Sequence, residues 1–514
     1  MWRSCYLYIL LMTPSIIIAQ DINDTVGEQL STVNDKYRYA SMPSVSFEEP
    51  ALNNPALYNF RLPFSISSLN IGFQRASKSK KRSAFTGEGE GVGKFWAETY
   101  LHHNSSLITG CAGYSAGTVF NLRWNEMGNS PISPYLLADA VGGNLRTETY
   151  SFNGGYANHK NRLSWGVFGG YTASLSYRNT DPRPKNLKGD INISAGIGYE
   201  VFRNYVCAVS AEFNKIREHS ELSFTNELGQ AKIYHLTGLG SHYDRFAGTG
   251  SDVYNDFFRF SGSFDVIPVS NKGFFGSIKG GYTNCKNIIS DLNNLPLASY
   301  KANDISVSSG WTCVSRSLKW GISALWRLYS LTGSETIFGD ASSGIYPKIG
   351  ELDMLYNMDS YLELNSFIEN RYSLFLPSLS LKLSYQSISS EYHIPLRFYS
   401  VQNFGADISA AASIKSNRWL FSTQADLTFR QPVKSNLIFN HSEKSDEEIV
   451  NLEESTLAHI NALQSEAVSI SITPSALFSF TDKYAIKLSL SGTIKHIKSF
   501  NNNLSLSSSL SLIF

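Results

Sequence analysis

Beyond residue 20 the sequence has no apolar run approaching the roughly 18 to 20 residues that a membrane-spanning helix requires. No helical span is therefore expected in residues 21–514. Charge is scarce as well. Charged residues are 17% of the chain, against about a quarter in ordinary soluble domains, which leaves few side chains to solvate helical surfaces. The 44 Lys and Arg nearly cancel the 43 Asp and Glu, so no excess of either sign points to nucleic acid or to an acidic substrate. Cysteine is rare. Cys5 lies in the N-terminal apolar run, and Cys111, Cys207, Cys285 and Cys313 fall in four separate strand-like segments. Free structural thiols are expected there, not a disulfide framework. The ten histidines are scattered, with only His102 and His103 adjacent. Neighbours on a strand point to opposite faces, so that pair is not expected to hold a metal, and no cofactor is implied.

What the chain does have is aromatic residues and glycine: 28 Tyr, 31 Phe and 38 Gly, a composition that favours β structure. Its first twenty residues, "MWRSCYLYILLMTPSIIIAQ", place one cation, Arg3, before an apolar run and a small residue at Ala19. This reads as a secretory signal peptide covering residues 1–20.

A period of two runs through most of the remainder. Tyr484, Ile486, Leu488, Leu490 and Ile494 alternate with Lys487, Ser489, Ser491, Thr493 and Lys495. Trp419, Phe421, Ala425, Leu427 and Phe429 oppose Ser422, Gln424, Asp426, Thr428 and Arg430, and Ile191, Ile193, Ala195, Ile197 and Tyr199 oppose Asn192, Ser194 and Glu200. Such segments run for about ten to fifteen residues, longer than the five or six of a soluble sandwich strand and long enough to cross a bilayer at a tilt. The polar face is Ser, Thr, Gly, Asn and Gln with interspersed charges, which a wet lumen tolerates and lipid penalises.

The connections alternate in length. Short links at 102–106, 158–161, 202–205, 270–273, 315–318, 369–372, 415–418 and 481–484 separate long ones near 76–90, 123–143, 178–188, 223–253, 287–300, 336–356, 387–395, 433–465 and 496–502. Short periplasmic turns and long exterior loops define an outer-membrane barrel. The expected fold is all-β: a transmembrane antiparallel up-and-down β-barrel over residues 64–514, with about 18 strands and a range of 14 to 18. Residues 21–63 are expected to form an N-terminal periplasmic segment or a small plug.

The terminal sequence "NNNLSLSSSLSLIF" sets Leu504, Leu506, Leu510, Leu512 and Phe514 on one face and serines on the other. It resembles the C-terminal signal of Gram-negative outer-membrane β-barrel proteins, with Ser508 interrupting the apolar series. That resemblance implies recognition of the last strand by the barrel assembly machinery. Asn54, Pro55 and Ala56 are similar to the Asn-Pro-Ala element preceding the first strand of long-chain fatty-acid transporter barrels, where the N-terminal stretch plugs the lumen. A Pro-bounded turn leading into the barrel accounts for the same residues.

Other motifs carry less. Gly113–Gly117, "GYSAG", matches a nucleophile elbow, but Ser115 sits in an alternating strand instead of a strand-to-helix turn, and no catalytic residue is expected. Residues 87–93, "GEGEGVG", precede a strand and carry Glu88 and Glu90, so an exterior loop is expected in place of a phosphate cradle. Arg75, Lys78, Lys80, Lys81 and Arg82 form a basic loop able either to contact lipopolysaccharide or simply to be solvated. In 433–465, Ser445 and Glu448 suggest a capping box and Ile449, Leu452, Leu457, Ile460 and Leu463 a helical stripe, hence a helix on an exterior loop that could fold over the mouth or dock a partner. Lumen-lining candidates by parity are Lys382, Arg397, Asp407, Asp426, Arg430, Lys487 and Lys495.

These features point to an outer-membrane channel or transporter for small polar solutes, working by lumen size and lining. Two alternatives remain open: a plugged accessory barrel that supports a surface lipoprotein or uptake receptor, and a carrier of hydrophobic ligands. Expected partners are outer-membrane lipid, lipopolysaccharide and the assembly machinery, with no nucleic acid.

Overall fold

A computed structural model describes residues 32–514 except 79–83, 128–132, 203, 227–229, 271, 316–317, 343, 371–374, 443–445, 499 and 501. The expected signal peptide, residues 21–31, Lys80, Lys81, Arg82 and Ser445 lie outside the described residues.

Eighteen strands, numbered in chain order, each pair antiparallel with their neighbours, and β1 (Ile66–Ser77) pairs with β18 (Asn503–Ile513) to close the barrel. The first half continues with β2 (Gly89–His103), β3 (Ser106–Leu122), β4 (Gly143–Lys160), β5 (Leu163–Tyr177), β6 (Arg183–Val201), β7 (Tyr205–Ser223), β8 (Asp252–Pro268) and β9 (Gly273–Ile289). The second half holds β10 (Leu295–Ser315), β11 (Leu318–Phe338), β12 (Lys348–Asn370), β13 (Phe375–Tyr392), β14 (Arg397–Ser416), β15 (Trp419–Phe439), β16 (Ala467–Ser479) and β17 (Ala485–Ile497).

The alternation seen in the sequence sorts the two faces. On β11, Trp320, Ile322 and Trp326 point outward and are 42%, 55% and 40% exposed, and Phe260, Leu364 and Leu506 sit likewise on other strands. Apolar side chains that stay uncovered on every strand are matched to lipid, and with backbone hydrogen bonds closed around the ring this is an outer-membrane β-barrel. No described helix is long and apolar enough to cross a membrane. Cys111, Cys207, Cys285 and Cys313 are free.

Strands reach farther toward the exterior than the alternation suggests. Arg183–Val201 begins inside the link expected at 178–188, Leu295–Ser315 inside 287–300, and Lys348–Asn370 inside 336–356. Gly89 and Gly91, expected in a loop, belong to β2. At 21 and 23 residues, β11 and β12 exceed the roughly 9–11 a bilayer needs, so their upper parts stand in water. The exterior links fold together. Residues Leu136–Asp139, Ile233–Gly238 and Ser241–His242 form a separate three-stranded sheet over the mouth.

Candidate functional site: a lumen between a collar and a cap

Residues 32–65 form a collar inside the short-turn end of the barrel. They break into α1 (Val33–Ala40), α2 (Pro43–Phe47), α3 (Glu49–Leu52) and a 3₁₀ turn at Pro55–Phe60. Pro lies in the first turn of three of these, where its missing N–H costs no hydrogen bond, and Thr32 and Asn54 cap their helices by accepting from Asp35 N and Ala56 N.

The collar follows the inner wall strand by strand. Val33 N donates to Asp482 O at 2.7 Å, and Lys415 on β14 pairs with Asp35 at 2.9 Å. Ser44 donates through N and Oγ to Glu369 on β12, at 3.1 and 2.7 Å. Thr312 on β10 donates to Glu48 at 3.2 Å, and Asn54 Nδ2 donates to Asp265 on β8 at 3.0 Å. Next the backbone presses on Gly166 and Gly196 of β5 and β6, where an added Cβ would stand 2.2 Å from Pro55 O and 2.0 Å from Asn54 Oδ1. Tyr100 on β2 donates to Tyr58 O, and His102 hydrogen-bonds Leu62 O at 2.5 Å. The segment then meets its own start: the rings of Tyr39 and Phe64 are 5.7 Å apart, and Lys36 Nζ donates to Ser65 O at 3.2 Å. Between these anchors Phe47, Leu52 and Leu57 pack on Val206, Ile267, Phe275 and Phe367. Burial pushes the Glu48 carboxyl above the usual range, against the opposing pull of Lys319 and Thr312.

The exterior end carries a cap made from several loops. Helix α4 (Glu447–Leu463) is the one expected in 433–465, although its N-cap is Asp446, which accepts from Glu448 N. Ile449 and Leu452 pack on Trp124, Ala138, Tyr234 and Leu236 from two other loops, and Trp124 Nε1 donates to Asn451 at 3.0 Å. Arg397, 1% exposed, pairs with Glu453 of α4 and donates to Leu239 O at 2.9 Å and Asn440 O at 3.1 Å. Beneath, Arg178 joins two loops by pairing with Asp139 at 2.7 Å and lying 3.5 Å from Glu126. Burial, with the Asp139 carboxylate beside it, pushes Glu126 well above the usual carboxylate range, whereas at Asp139 burial is outweighed by Glu126 and Arg178 and the net shift is downward.

Between collar and cap lies a cavity of about 860 Å³ bordered by Ser46 and Phe47 of the collar and by Lys279, Glu363, Lys382, Asp407 and Asp426 of the wall. Lys382 is 3.5 Å from Glu363 and stands opposite Asp407 in register. A second space of about 400 Å³ lies under α4, lined by Leu236, Asn357, Asp359, Tyr399, His459 and Ile460.

Of the residues expected to line the lumen, Lys382, Asp407 and Asp426 border the chamber. Arg397 holds the cap, and Arg430 donates to Ala462 O and Ser465 O at the end of α4, at 2.9 and 3.1 Å. Lys487 donates to Tyr37 of the collar, and Lys495 on β17 stands opposite Ser469. Glu363, Glu369 and Asp265 were not singled out from the sequence, although each lies on the polar parity of its strand. Glu453 carried no such signal. Asn54–Ala56 is the pinned start of the 3₁₀ turn. Ser115 lies within β3 opposite Lys94 and Thr149. Arg75 is 6.0 Å from the Phe120 ring, and Lys78 donates to Thr86 O at 3.2 Å. Leu504, Leu506, Leu510 and Phe514 are exposed, and Phe514 exchanges backbone hydrogen bonds with Ser67.

A model described as a family of unknown function (DUF6850) matches residues 55–514. No curated protein matches the chain. Solved structures with a similar backbone include the ferric preacinetobactin receptor BauA of Acinetobacter baumannii, at 9% identity and TM-score 0.39, covering 88% of this chain and 80% of that one. Another is the outer membrane transporter YddB from Escherichia coli, at 7% identity and TM-score 0.40, covering 88% and 81%.

Proposed function

Because the chain belongs to a family of unknown function (DUF6850), its activity is read from its geometry, and we propose that it is an outer-membrane transporter for small polar solutes with a constriction at each end of its lumen. The chamber carries the proposal. Lys382, Glu363, Asp407 and Asp426 offer both signs of charge within one polar space, which suits solutes that exchange hydration for wall contacts and leave without covalent change. A hydrophobic cargo fits less well, since it would strip water from those charges.

In this reading the collar sets the periplasmic aperture and the cap the exterior one. Recognition of Leu504, Leu506, Leu510, Leu512 and Phe514 by the assembly machinery, and contact of Arg75 and Lys78 with lipopolysaccharide, belong to the same proposal.

Single-channel conductance in a planar bilayer tests it, comparing the protein with a variant lacking residues 32–63. Small or infrequent steps from the intact protein and large, sustained steps from the variant are expected. Asn54→Ala combined with Asp265→Ala loosens the collar without deleting it and should fall between the two. Silence from all three, with the barrel folded, would overturn the transporter reading and leave a binding barrel that supports a partner, for which the loop-built cap is the supporting observation.

A further inference from the structure

A second surface lies on the outside of the barrel, independent of the lumen. On β7 to β10 four cations face outward: Lys215, Arg217, Lys286 and Lys301. Their alternation with buried Ile216, Glu218, Cys285, Asn287 and Ala302 fixes that direction. Register places them in two adjacent rows. Lys215, Phe258, Asn284 and Lys301 stand side by side across the four strands, and Arg217, Asp256 and Lys286 form the row above. With about 4.8 Å between strands, the outer two cations of the first row are about 14 Å apart at their Cα atoms.

Directly below is an aromatic row, Phe213, Phe260 and Tyr282, with the first two rings 4.9 Å apart. Lys215 is ten residues above the start of β7 at Tyr205, which at a strand tilt of about 40° is about 25 Å, the height of the apolar band of such barrels. The cations therefore stand where acyl chains give way to headgroups on the exterior side. Arg217 is 4.8 Å from the Tyr254 ring. Lys215 pairs with Asp256 at 2.6 Å, and of the nearby carboxylates Asp252 pairs with His219 and Glu221 stands opposite Lys185. Four cations thus face one carboxylate within the patch.

We propose that Lys215, Arg217, Lys286 and Lys301 are a docking surface for the phosphate groups of outer-leaflet lipopolysaccharide, with the acyl chains lying on Phe213, Phe260 and Tyr282. Charge complementarity above and a continuous apolar face below select a phosphorylated lipid over a soluble protein partner.

The test is binding of defined bisphosphorylated lipid A to the purified barrel in neutral detergent, read by native mass spectrometry. In Lys215→Gln/Arg217→Gln/Lys286→Gln/Lys301→Gln affinity should fall by about fivefold per cation removed, and lipid A stripped of phosphate should bind the unaltered protein as weakly. The proposal is overturned by wild-type binding in the folded quadruple variant, by equal binding of phosphate-free lipid A, or by a loss that follows Arg75→Gln/Lys78→Gln instead. Should the quadruple variant not fold, Lys286→Gln and Lys301→Gln decide singly, since both side chains are exposed. Conductance is read separately, so failure here leaves the transporter reading standing.

Discussion

The collar and the cap both narrow the lumen, but they are built on opposite plans. The collar is one continuous segment fastened to the wall at separated points: Asp35 to Lys415, Ser44 to Glu369, Glu48 to Thr312, and Asn54 to Asp265. The cap is assembled from several loops whose apolar residues cover one another, with Trp124, Tyr234, Leu236, Ile449 and Leu452 in a single cluster. A segment held at independent points can loosen point by point. Loops that share a core come apart together. The collar is therefore the part suited to graded adjustment, and the cap the part suited to switching between two states.

The largest effect that sharpens this contrast is expected at Arg397→Met. It leaves the Glu453 carboxylate buried with one partner fewer, at a cost of about 3–5 kcal/mol. Hydrogen exchange should then rise across α4 and across residues 124–140 and 233–247 at once. Exchange confined to α4 would show that the loops are not coupled.

Phe47→Ala comes next. Its ring lies 4.6 Å from that of Phe367 and 5.7 Å from that of Phe275, and truncation should cost collar docking about 3–5 kcal/mol. Limited proteolysis should reach residues 40–55 while the cap stays protected. Cap exposure in this variant would break the contrast. Smaller still, Asn54→Ala removes two buried hydrogen bonds, the one given to Asp265 and the cap accepted from Ala56 N, and leaves Asp265 short of a donor, about 1–3 kcal/mol. Cleavage should appear near residues 54–60 and not near 33–40 if the anchors are independent.

At Glu48 the effect depends on pH. Burial raises its folded pKa, so its contribution is fully present below the unfolded value and is lost as pH rises through the folded one. Collar protection should weaken as pH rises from the usual carboxylate range through the folded value, and the dependence should flatten in Glu48→Gln. An unchanged slope in that variant would assign the dependence to another group. The smallest change is expected at Lys415→Gln. The pair with Asp35 is partly exposed, and its loss should cost about 0.2–1 kcal/mol, seen only as a modest rise in exchange of α1.

How far the sequence anticipates this arrangement follows from which solvent each face meets. Wherever lipid touches the wall it forces an apolar residue at every second position, so the strand count and the short turns were legible. Above the bilayer both faces of a strand are wet, and Arg183–Asn186 or Lys348–Glu351 carry no such alternation, which is why those parts read as loops. The small exterior sheet was hidden because its three strands come from two loops and are only four, six and two residues long. Helix α4 was visible from its own stripe. The inward parity of Lys382, Asp407 and Asp426 was visible too, but parity does not reveal what occupies the lumen. Lys487 meets Tyr37 across 450 residues of chain, and nothing local in "AIKLSL" records that.

The collar's serial attachment also has a mechanical side. Tension applied upstream of Thr32 and directed out of the short-turn end loads the contacts of Val33 and Asp35 first, and passes to Ser44, Glu48 and Asn54 only as each preceding one yields. The anchors would open as a peeled seam does, with a resisting force set by the strongest single contact and not by their sum. The same number of bonds loaded side by side would need a far larger pull, so the course of the segment around the wall makes a well-fastened structure easy to unfasten from one end.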